Sequence, residues 1–388
     1  MHIGFDISQA GAGKAGCGFF AHAMAGALLQ AAPAHRYAFY PSFGDFYFDP
    51  LMPLANPYRG RDSHYGPRHL SRDSAAAFWN AAGLESALGE PDVIHANNFW
   101  CPVQLRSSRL VYTCYDLGFT VAPEWTTEAN RVGCFEGMFR SAVAADWVVA
   151  ISAASRSHYL RVFPHFPEER IRVIHPCSRF ANPAVEGRRP AALAHATPGA
   201  FWLSVGTIEP RKNQLRLAQA FARYLALGGA PMPLVLAGGK GWLMEGLRRA
   251  LEELGIADQV IMPGYVSDAE LAWLYRNCFA NLYPSLFEGF GLPVLEGMQF
   301  GAASIVSDAS SLPEVAGNAA LMVPPEDVEG WAQAMLRLSR DAPGRARLRA
   351  AAVTQAARFD RRASATALLD LYAEAVAAPR RFAAALPA

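Results

Sequence analysis

Residues 284–298 have a sequence typical of a turn from a buried strand into a helix, Pro284-Ser-Leu-Phe-Glu-Gly-Phe-Gly-Leu-Pro-Val-Leu-Glu-Gly-Met298. The apolar run 280–283 before it is typical of a buried strand, and Pro293 suits the first turn of a helix. Between them, the loop Gly289-Phe-Gly-Leu292 presents backbone N–H groups at a helix N-terminus, where an anion can bind. The stretch therefore predicts an α/β fold with a parallel sheet and an anion site at the sheet edge.

Two glutamates flank this turn. Glu288 precedes the helix, and Glu296 falls in its first turn or just beyond it. Taken singly, Glu288 could be a solvated acid in a loop, and Glu296 could be an acid that interacts with the helix dipole. Taken with the loop amides they suit a sugar nucleotide, because amides would bind the diphosphate and the two carboxylates would accept from ribose and hexose hydroxyls.

Strand and helix patterns alternate along the whole chain, which predicts two Rossmann-like domains. The predicted strands are 2–7, 93–95, 110–114, 147–151, 171–175, 201–205, 234–237, 260–262, 280–283 and 303–306, and the predicted helices include 19–29, 130–144, 153–163 and 363–376. We assign residues 1–180 to an N-terminal domain and residues 201–362 to a C-terminal domain. Residues 181–200 are rich in Pro, Gly and Ala and are predicted to form the linker. The helix at about 363–388 is expected to pack back on the N-terminal domain.

Composition limits the function classes. The chain has 388 residues, 18% of them charged, and a formal net charge of +1, so nothing suggests a nucleic-acid partner. No stretch of about 20 apolar residues is present, and the N-terminus resembles a strand more than a signal peptide, which predicts a cytoplasmic protein. The six scattered cysteines are expected to be free thiols.

Lysine is rare in this arginine-rich chain. The three lysines are Lys14, Lys212 and Lys240, and each lies beside glycine or in a predicted strand-to-helix loop. Because such loops bind phosphate in open α/β sheets, we expect these lysines to be selected as compact point charges.

The segment 284–298 resembles the E-x7-E signature of glycosyltransferase family 4, a family of retaining GT-B enzymes. The resemblance is dense from about residue 200 to 325 and thinner over the first half. Further matching runs are Leu203-Ser-Val-Gly-Thr-Ile-Glu-Pro-Arg-Lys-Asn213, Leu234-Val-Leu-Ala-Gly-Gly-Lys-Gly-Trp242, Met262-Pro-Gly-Tyr-Val266 and Ser307-Asp-Ala-Ser-Ser-Leu-Pro-Glu-Val-Ala-Gly317. It implies a GT-B fold, with two Rossmann-like domains facing each other across a cleft, and a hexosyltransferase without a cofactor. In such a fold residues 1–180 would form the acceptor-side domain and residues 201–362 the nucleotide-sugar-binding domain.

The resemblance also implies roles for individual residues. The catalytic set would be Glu288, Lys212, Arg211 and Asp116. Donor-binding positions would be Glu296, Gly16, Gly18, Gly206, Gly289, Phe290, Gly291, Leu292 and Val266. Within these sets, Glu296 would hold the ribose, Glu288 would face the hexose, and the Arg-Lys pair would bind the diphosphate.

Two positions depart from the family pattern. Tyr115 stands where many members carry a histidine near the reacting centre, and either a substitute role or simple aromatic packing is open. Thr207 stands where an arginine is frequent, which leaves Arg211 and Lys212 as the main phosphate cations. The acceptor is expected to contact Tyr115, Asn98 and Trp100, within or near the segments 95–100 and 124–131.

Donor and acceptor stay open. GDP-mannose is the first expectation, because the run 205–213 resembles bacterial mannosyltransferases of the family, while UDP-glucose, GDP-fucose and dTDP-rhamnose remain alternatives. The expected acceptor is a glycan or lipid-linked glycan, as in lipopolysaccharide or polysaccharide synthesis. The aromatic segment Tyr37–Phe48 suits either a peripheral membrane contact or a buried strand-loop.

A hexosyltransferase without a cofactor has two competing functions as alternatives. A sugar-nucleotide epimerase on the same fold or a non-catalytic glycan-binding relic are the competing functions, and a dehydrogenase is disfavoured by the poor dinucleotide fingerprint. The chain contains no Asp-x-Asp motif, so no metal is expected.

Overall fold

The computed structural model describes residues 1–11, 14, 16–44, 63–67, 69, 71–180, 184–239 and 244–381. It divides into two compact units. The N-unit comprises Met1–Arg179 together with the chain from Phe359 onward, and the C-unit comprises Phe180–Arg358.

The N-unit is built on a parallel sheet. Its strands are β1 (His2–Asp6), β2 (Arg36–Tyr40), β3 (Ser63–Tyr65), β4 (Val93–Ala96), β5 (Arg109–Cys114), β6 (Trp147–Ala150) and β7 (Ile171–Val173), in the order β3-β2-β1-β4-β5-β6-β7. Its first helices are α1 (Gly16–Ala31), α2 (Arg72–Trp79), α3 (Gly118–Val121), α4 (Glu128–Ala144) and α5 (Ala153–Val162). β1 is buried along its whole length, as expected for a central parallel strand covered on both faces.

The C-unit repeats this architecture. Its strands are β8 (Trp202–Val205), β9 (Leu234–Ala237), β10 (Val260–Gly264), β11 (Ala280–Tyr283), β12 (Ser304–Ser307) and β13 (Leu321–Val323), in the order β10-β9-β8-β11-β12-β13. Its helices are α6 (Gln214–Ala226), α7 (Met244–Glu253), α8 (Asp268–Asn277), α9 (Leu292–Gln299), α10 (Leu312–Ala316), α11 (Val328–Arg340) and α12 (Ala342–Ala356). The last helix, α13 (Arg361–Ala377), belongs to the N-unit, where it packs against α1.

Each sheet contains a point at which the strand order reverses. In the N-unit this point lies between β1 and β4, and in the C-unit between β8 and β11. In open parallel sheets, ligands bind beyond the carboxyl ends of the strands at such a point. The fold therefore marks the loops after β1, β4, β8 and β11 as the places where function is expected.

Local sequence signals account for several helix starts. Ser152 caps α5 and Ser267 forms a capping box with Glu270 at the start of α8, which confirms both predictions. The strands predicted at 234–237 and 280–283 have the same bounds in the structure, and other predicted strands differ by one or two residues at an end. β3 and β13 were not predicted as strands, and β2 was predicted only as one of two alternatives for the aromatic segment Tyr37–Phe48.

The predicted linker needs correction. The described part, residues 184–200, belongs to the C-unit, where the N–H groups of Arg188 and Gly199 donate to the carbonyls of Ala269 and Asn277. Leu193 is buried in the core of that unit. The Pro- and Ala-rich composition therefore reflects an irregular but packed segment and not a free connection.

The aromatic segment Tyr37–Phe48 is buried over its described part. Tyr37, Phe39 and Tyr40 lie on β2 in the sheet, and Phe43 is fully buried in the core. For residues 37–44 the expectation of a buried strand-loop is thus confirmed and a membrane contact is wrong, while residues 45–48 lie outside the described part of the chain. Of the described helices, none combines the length and the apolar character needed to cross a membrane. The six cysteines are free thiols, as predicted.

Candidate active site

A short 3-10 turn after β8, Pro210–Lys212, carries the two predicted phosphate cations, Arg211 and Lys212. The turn ends at Asn213, whose φ of 61° lies in the left-handed region that asparagine tolerates better than most residues. The Asn213 amide donates to the carbonyl of Pro284 at 3.0 Å. The turn after β8 is therefore tied to the loop after β11, on both sides of the point where the strand order reverses.

Glu288 lies between the two cations. Its Oε2 accepts from Nη1 of Arg211 at 2.9 Å, and its Oε1 accepts from Nζ of Lys212 at 2.6 Å. Nη1 of Arg211 also donates to the carbonyl of Phe287 at 2.8 Å. Glu288 is only 7% exposed, so the alternative of a solvated loop acid is wrong. The structure thus brings three of the predicted catalytic residues together.

Tyr283 and Glu209 complete this charged cluster, and neither was assigned a role from the sequence. Nζ of Lys212 donates to the Tyr283 hydroxyl at 2.9 Å, and that hydroxyl donates to Oε1 of Glu288 at 3.0 Å. Oε1 of Glu209 accepts from Nη2 of Arg211 at 2.8 Å. Tyr283 ends β11, so a hydroxyl at the carboxyl end of a strand beside the reversal was the available signal.

The ionisation of the charged cluster follows from its burial and its charges. Burial by itself raises the pKa of Glu288, but the charges of Arg211 and Lys212 outweigh it and lower that pKa to about 2. Burial and the neighbouring Glu288 charge raise the pKa of Tyr283 well above its ordinary value. At neutral pH Glu288 is therefore a carboxylate and Tyr283 a neutral phenol, held against two oriented cations.

Two serines fix the loop that leads into α9. The N–H of Glu288 donates to Oγ of Ser310 at 2.7 Å, and the Ser311 hydroxyl donates to the carbonyls of Glu288 and Phe290 at 2.9 and 2.8 Å. Gly291 starts α9 with a φ of 112°, a conformation that suits glycine. The buried Phe290 and these bonds hold the predicted donor loop 289–292 in one shape at the start of α9.

Glu296 lies on α9 and is completely buried. The Tyr275 hydroxyl donates to its Oε2 at 3.3 Å. Glu296 is the fifth residue of α9, beyond the first turn where an acid interacts most favourably with the helix dipole. Its assignment to the ribose stays a prediction.

Gly206 and Gly238 allow the loops after β8 and β9 to touch. A Cβ atom on Gly238 would lie 2.0 Å from the carbonyl oxygen of Gly206, which no side chain could tolerate. Val266, after β10, is half-buried in the same unit. The donor-binding roles of Gly206 and Val266 stay predictions, and Lys240 lies outside the described residues.

The N-terminal glycines differ in their surroundings. A Cβ atom on Gly18 would lie 2.0 Å from the carbonyl oxygen of Gln9, so the start of α1 packs directly on the loop after β1. A Cβ atom on Gly16 would meet nothing within 4 Å. Nζ of Lys14 lies 5.3 Å from the centroid of the Phe19 ring. Gly18 is thus required for packing, whereas the start of α1 at Gly16 is open.

Asp116 and Tyr115 follow β5. Oδ1 of Asp116 accepts from the N–H of Gly118 at 2.9 Å at the start of α3. The Tyr115 hydroxyl donates to the carbonyl of Cys17 at 3.4 Å, and its ring meets Phe20 edge-on with centroids 5.5 Å apart. These contacts make Tyr115 part of the packing of the N-unit; a substitute role for the family histidine and a catalytic role for Asp116 stay predictions.

Asn98 and Trp100, predicted to contact the acceptor, are buried in the loop after β4. The Asn98 amide nitrogen donates to Oγ of Ser8 at 2.9 Å and to the carbonyl of Phe43 at 3.0 Å, which uses both of its N–H groups. Its Oδ1 accepts from the N–H of Trp100 at 2.7 Å, and the Trp100 ring is 5% exposed. Here both residues hold the loop together and are not part of an exposed acceptor surface.

A chain of neutral hydrogen bonds runs behind this loop, and we call it the neutral chain. The Thr113 hydroxyl donates to Oδ1 of Asn97 at 2.7 Å, so it must accept from Nε2–H of His95, also at 2.7 Å. Nδ1 of His95 then accepts from the Tyr372 hydroxyl at 2.5 Å, because burial lowers the pKa of His95 to about 3 and keeps the ring neutral. At the other end, Oδ2 of the Asp6 side chain accepts from the N–H of Asn97 at 3.0 Å. His95 therefore serves the interior of the N-unit, contrary to the expectation that it lines the acceptor side.

Within the described part of the chain, no group of three or more His, Cys, Asp or Glu side chains is arranged to hold a metal ion. The positive charge in the charged cluster comes from Arg211 and Lys212.

Two family models match the chain, one in each unit. Residues 20–177 match the model described as Glycosyltransferase Family 4, and residues 188–355 match the model described as Glycosyl transferases group 1. The charged cluster lies within the second match and the neutral chain, apart from Asp6 and Tyr372, within the first.

Comparisons with known proteins of similar sequence or similar structure agree with these two family matches. O-antigen chain mannosyltransferase B of Escherichia coli is 32% identical over 288 residues, which are 72% of this chain and 74% of that protein. The serotype-specific mannosyltransferase WbdA of Escherichia coli is 28% identical over 92% of this chain, which spans only 46% of that longer protein. The crystal structure of Anabaena HepE with UDP and glucose matches 96% of this chain with a TM-score of 0.70 at 16% identity, covering all of that chain. The chain therefore belongs to glycosyltransferase family 4 and is a glycosyltransferase with the GT-B fold.

Proposed function

We propose that this enzyme transfers a hexose, mannose in the first instance, from a nucleoside diphosphate sugar to a glycan or lipid-linked glycan acceptor with retention of anomeric configuration. The observation that carries the proposal is the charged cluster: two oriented cations and a buried carboxylate beside the start of α9. A departing diphosphate needs such positive charge, and a hexose hydroxyl needs such an acceptor.

The donor would lie along the loops after β8 and β11. Its diphosphate would bind Arg211, Lys212 and the N–H groups at the start of α9. The Lys212 ammonium has three N–H donors, of which two have acceptors among the described residues. Glu296 would accept from the ribose and Glu288 from the hexose, so that binding and turnover depend on different carboxylates.

The proposed chemistry is a front-face substitution. The bond from the anomeric carbon to the diphosphate oxygen breaks, the bond to the acceptor oxygen forms on the same face, and a leaving phosphate oxygen takes the acceptor hydroxyl proton. Arg211 and Lys212 would stabilise the negative charge that develops on the diphosphate. Because these cations are already fixed by Glu209, Tyr283 and Glu288, little reorganisation would accompany the reaction.

Mannose is supported by the relatives. Two of them are named mannosyltransferases, and one of these is named for the O-antigen chain. GDP-mannose is therefore the first donor to test and an O-antigen-like glycan the first acceptor. HepE was solved with UDP and glucose, which makes UDP-glucose the natural comparison donor.

The test is a panel of GDP-mannose, UDP-glucose, GDP-fucose and dTDP-rhamnose, each incubated with and without mannose-containing oligosaccharides. We expect acceptor-dependent release of GDP from GDP-mannose and a product with the donor's anomeric configuration in proton NMR. An inverted product would contradict retention. Interconversion of sugar nucleotides without an acceptor would instead identify an epimerase, and no reaction together with glycan binding would indicate a non-catalytic relative.

The same assay tests the charge balance. We expect full activity in EDTA, because Arg211 and Lys212 supply the charge that a divalent ion provides in other glycosyltransferases. Activity that collapses on chelation and returns with manganese or magnesium would show that these two cations are insufficient.

A further inference from the structure

The helix α4 carries an exposed apolar surface. Eleven large hydrophobic side chains of the described residues are exposed, and four of them lie on this one helix, whereas no other described helix has more than one. The four are Val132, Phe135, Phe139 and Val143, each 44–50% exposed. Their spacing of three and four residues places them on one helix face. The Phe135 and Phe139 rings stack with centroids 6.3 Å apart, so the surface is continuous, and we call it the apolar stripe.

The apolar stripe is held outward because the opposite face of α4 is fixed. That face is buried in the N-unit and includes Gly137. A Cβ atom on Gly137 would lie 2.0 Å from the carbonyl oxygen of Phe99, so the helix backbone rests directly on the loop after β4. The Arg381 guanidinium donates to the carbonyls of Ala142 and Val143 at the end of α4. A continuous apolar surface that its own unit keeps exposed is typical of an interaction site.

Two ion pairs flank the apolar stripe. Arg131 pairs with Glu128 at 2.6 Å, and Arg140 pairs with Glu136 at 2.9 Å. Arg131 and Arg140 are about two and a half turns apart and therefore lie on opposite sides of the helix. α4 has no further charged residue, so its net charge is zero. An anionic membrane or a nucleic acid would require positive charge beside the stripe, so the balanced charges favour a partner that carries both signs.

The order of these charges is self-complementary. Along α4 the signs are negative at Glu128, positive at Arg131, negative at Glu136 and positive at Arg140. A second α4 that runs in the opposite direction presents the signs in reverse order. Glu128 then faces Arg140 of the copy. Arg131 faces Glu136 in the same register, because both pairs are centred on Gly133–Cys134. All four charged residues therefore meet an opposite charge.

We propose that the apolar stripe is a self-association surface, on which α4 of a second copy of this chain packs antiparallel about a two-fold axis near Gly133–Cys134. Val132 of one copy contacts Phe135 of the other, and the flanking charges are shared between the copies. A contact of this kind uses the same surface on both chains, which is the commonest arrangement among homodimers. The proposal goes beyond the transferase reaction and does not depend on it.

The size of the surface sets the strength of the association. α4 has 17 residues and is therefore about 25 Å long and about 10 Å wide. This footprint is at the low end of specific interfaces, which usually bury about 800 Å² on each partner. We therefore expect a reversible dimer with a dissociation constant on the order of 10 μM.

Sedimentation velocity of the 388-residue chain tests the surface, at protein concentrations between about 1 and 100 μM, on both sides of that constant. The wild-type mass should rise with concentration from 42.0 kDa toward twice that value. The variant Val132→Ser with Val143→Ser should weaken dimerisation roughly tenfold, because it removes apolar area from the contact. Thermal unfolding followed by circular dichroism verifies that each variant is folded.

The matched control is Val353→Ser with Val376→Ser. These valines lie on α12 and α13 and are 51% and 38% exposed, similar to the 50% and 44% of Val132 and Val143. The control removes the same groups from the surface but leaves α4 intact. It should change the dissociation constant by less than about twofold.

Charge reversal tests the antiparallel register. Arg131→Glu places a carboxylate opposite Glu136 of the second copy and should weaken dimerisation roughly tenfold. Adding Glu136→Arg restores opposite charges at that contact, so the dissociation constant should return to within about threefold of the wild-type value. The double variant breaks both ion pairs within each helix, so its recovery cannot come from a more stable α4.

A wild type that stays monomeric over this concentration range would overturn the proposal. Equal losses in the two valine variants, or no recovery in the double charge variant, would do the same. A monomeric wild type that sediments with phosphatidylcholine vesicles would assign the apolar stripe to a lipid surface instead of a second copy. Because these measurements contain no sugar nucleotide, failure of the proposed transferase reaction is a separate result.

Discussion

The charged cluster of the C-unit and the neutral chain of the N-unit lie at equivalent places in two similar sheets. One spans the reversal between β8 and β11, and the other the reversal between β1 and β4. The charged cluster has Arg211 and Lys212 at 22% and 14% side-chain exposure. In the neutral chain, by contrast, Asp6, His95 and Thr113 are at most 1% exposed.

The difference in exposure between the charged cluster and the neutral chain shows that the same position in a fold can serve two purposes. In the neutral chain each donor points to an acceptor inside the unit, so the bonds lock the loops after β1 and β4 together. In the charged cluster the cations are oriented by the carboxylates of Glu209 and Glu288 and stay partly exposed, as a site for the proposed diphosphate requires. We therefore expect substitutions in the charged cluster to change activity and those in the neutral chain to change stability.

The largest expected effect is that of Lys212→Ala. Under the proposed function the Lys212 ammonium binds the departing diphosphate, so its removal should lower turnover on the order of 10²-fold or more, the scale of losing one preoriented transition-state donor. The measurement is the steady-state rate with a saturating donor. Arg216→Ala, on the surface of the same unit, is the control. A turnover of Lys212→Ala within twofold of the wild-type value would contradict the expectation that the charged cluster determines activity.

Glu288→Gln should lower turnover by roughly 10- to 100-fold, because a charge-assisted hydrogen bond contributes about 1.5–3 kcal/mol. Affinity for the free nucleoside diphosphate should change much less, since Glu288 is assigned to the hexose. With a pKa of about 2, this carboxylate should add no step to the activity profile between pH 5 and 9. A variant that loses nucleotide affinity and turnover equally would contradict the assignment.

Glu296→Ala should weaken the donor and the free nucleotide alike, by about 1.5–3 kcal/mol. Calorimetric titration with the free nucleoside diphosphate measures this directly. Because Glu296 is completely buried, Glu296→Gln is the matched variant that keeps the volume. Unchanged affinity for the nucleoside diphosphate in both folded variants would contradict the assignment of Glu296 to the ribose.

Tyr283→Phe should have a smaller effect, roughly fivefold in turnover, because Lys212 and Glu288 each keep their other partners. Tyr224→Phe is the control, since the Tyr224 hydroxyl donates to the carbonyl of Ala230 in the same unit, away from the charged cluster. Equal turnover in the two variants would show that Tyr283 does not orient Lys212.

The smallest effect on activity is expected for Asp6→Asn. Asp6 belongs to the neutral chain, so its substitution should change stability. Burial raises the pKa of Asp6 to about 7 in the folded protein, from an ordinary value of 3.8. Between these values the folded state keeps a proton that the unfolded state releases, so the Asp6 contribution to the free energy of unfolding falls as pH rises. The stability advantage of wild type over Asp6→Asn should therefore shrink between about pH 4 and 7 in denaturant titrations. A constant difference would show that Asp6 does not titrate there.

Periodicity and glycine placement were enough to predict most of the fold. Buried parallel strands are short apolar runs, and the helix starts at Ser152 and Ser267 carry their own capping signals. β2 stayed one of two alternatives because its residues 36–40 are aromatic, basic and apolar in a mixture that also suits a surface segment. The linker was misjudged because the packing of Leu193 depends on residues far along the chain.

For the site, the sequence alone determined which residues carry charge and in which loops they lie. Glu288, Arg211 and Lys212 follow strands that the chain order places on the two sides of a reversal, so their meeting was predictable. Only the tertiary structure decided that Tyr283 and Glu209 join them, and that Asn98, Trp100 and His95 turn inward. Hydrogen bonding depends on which side chains share a buried volume, and such partners can be far apart in the chain, as Lys212 is from Tyr283 and His95 from Tyr372. The spacing of residues along the chain does not show which side chains share a buried volume.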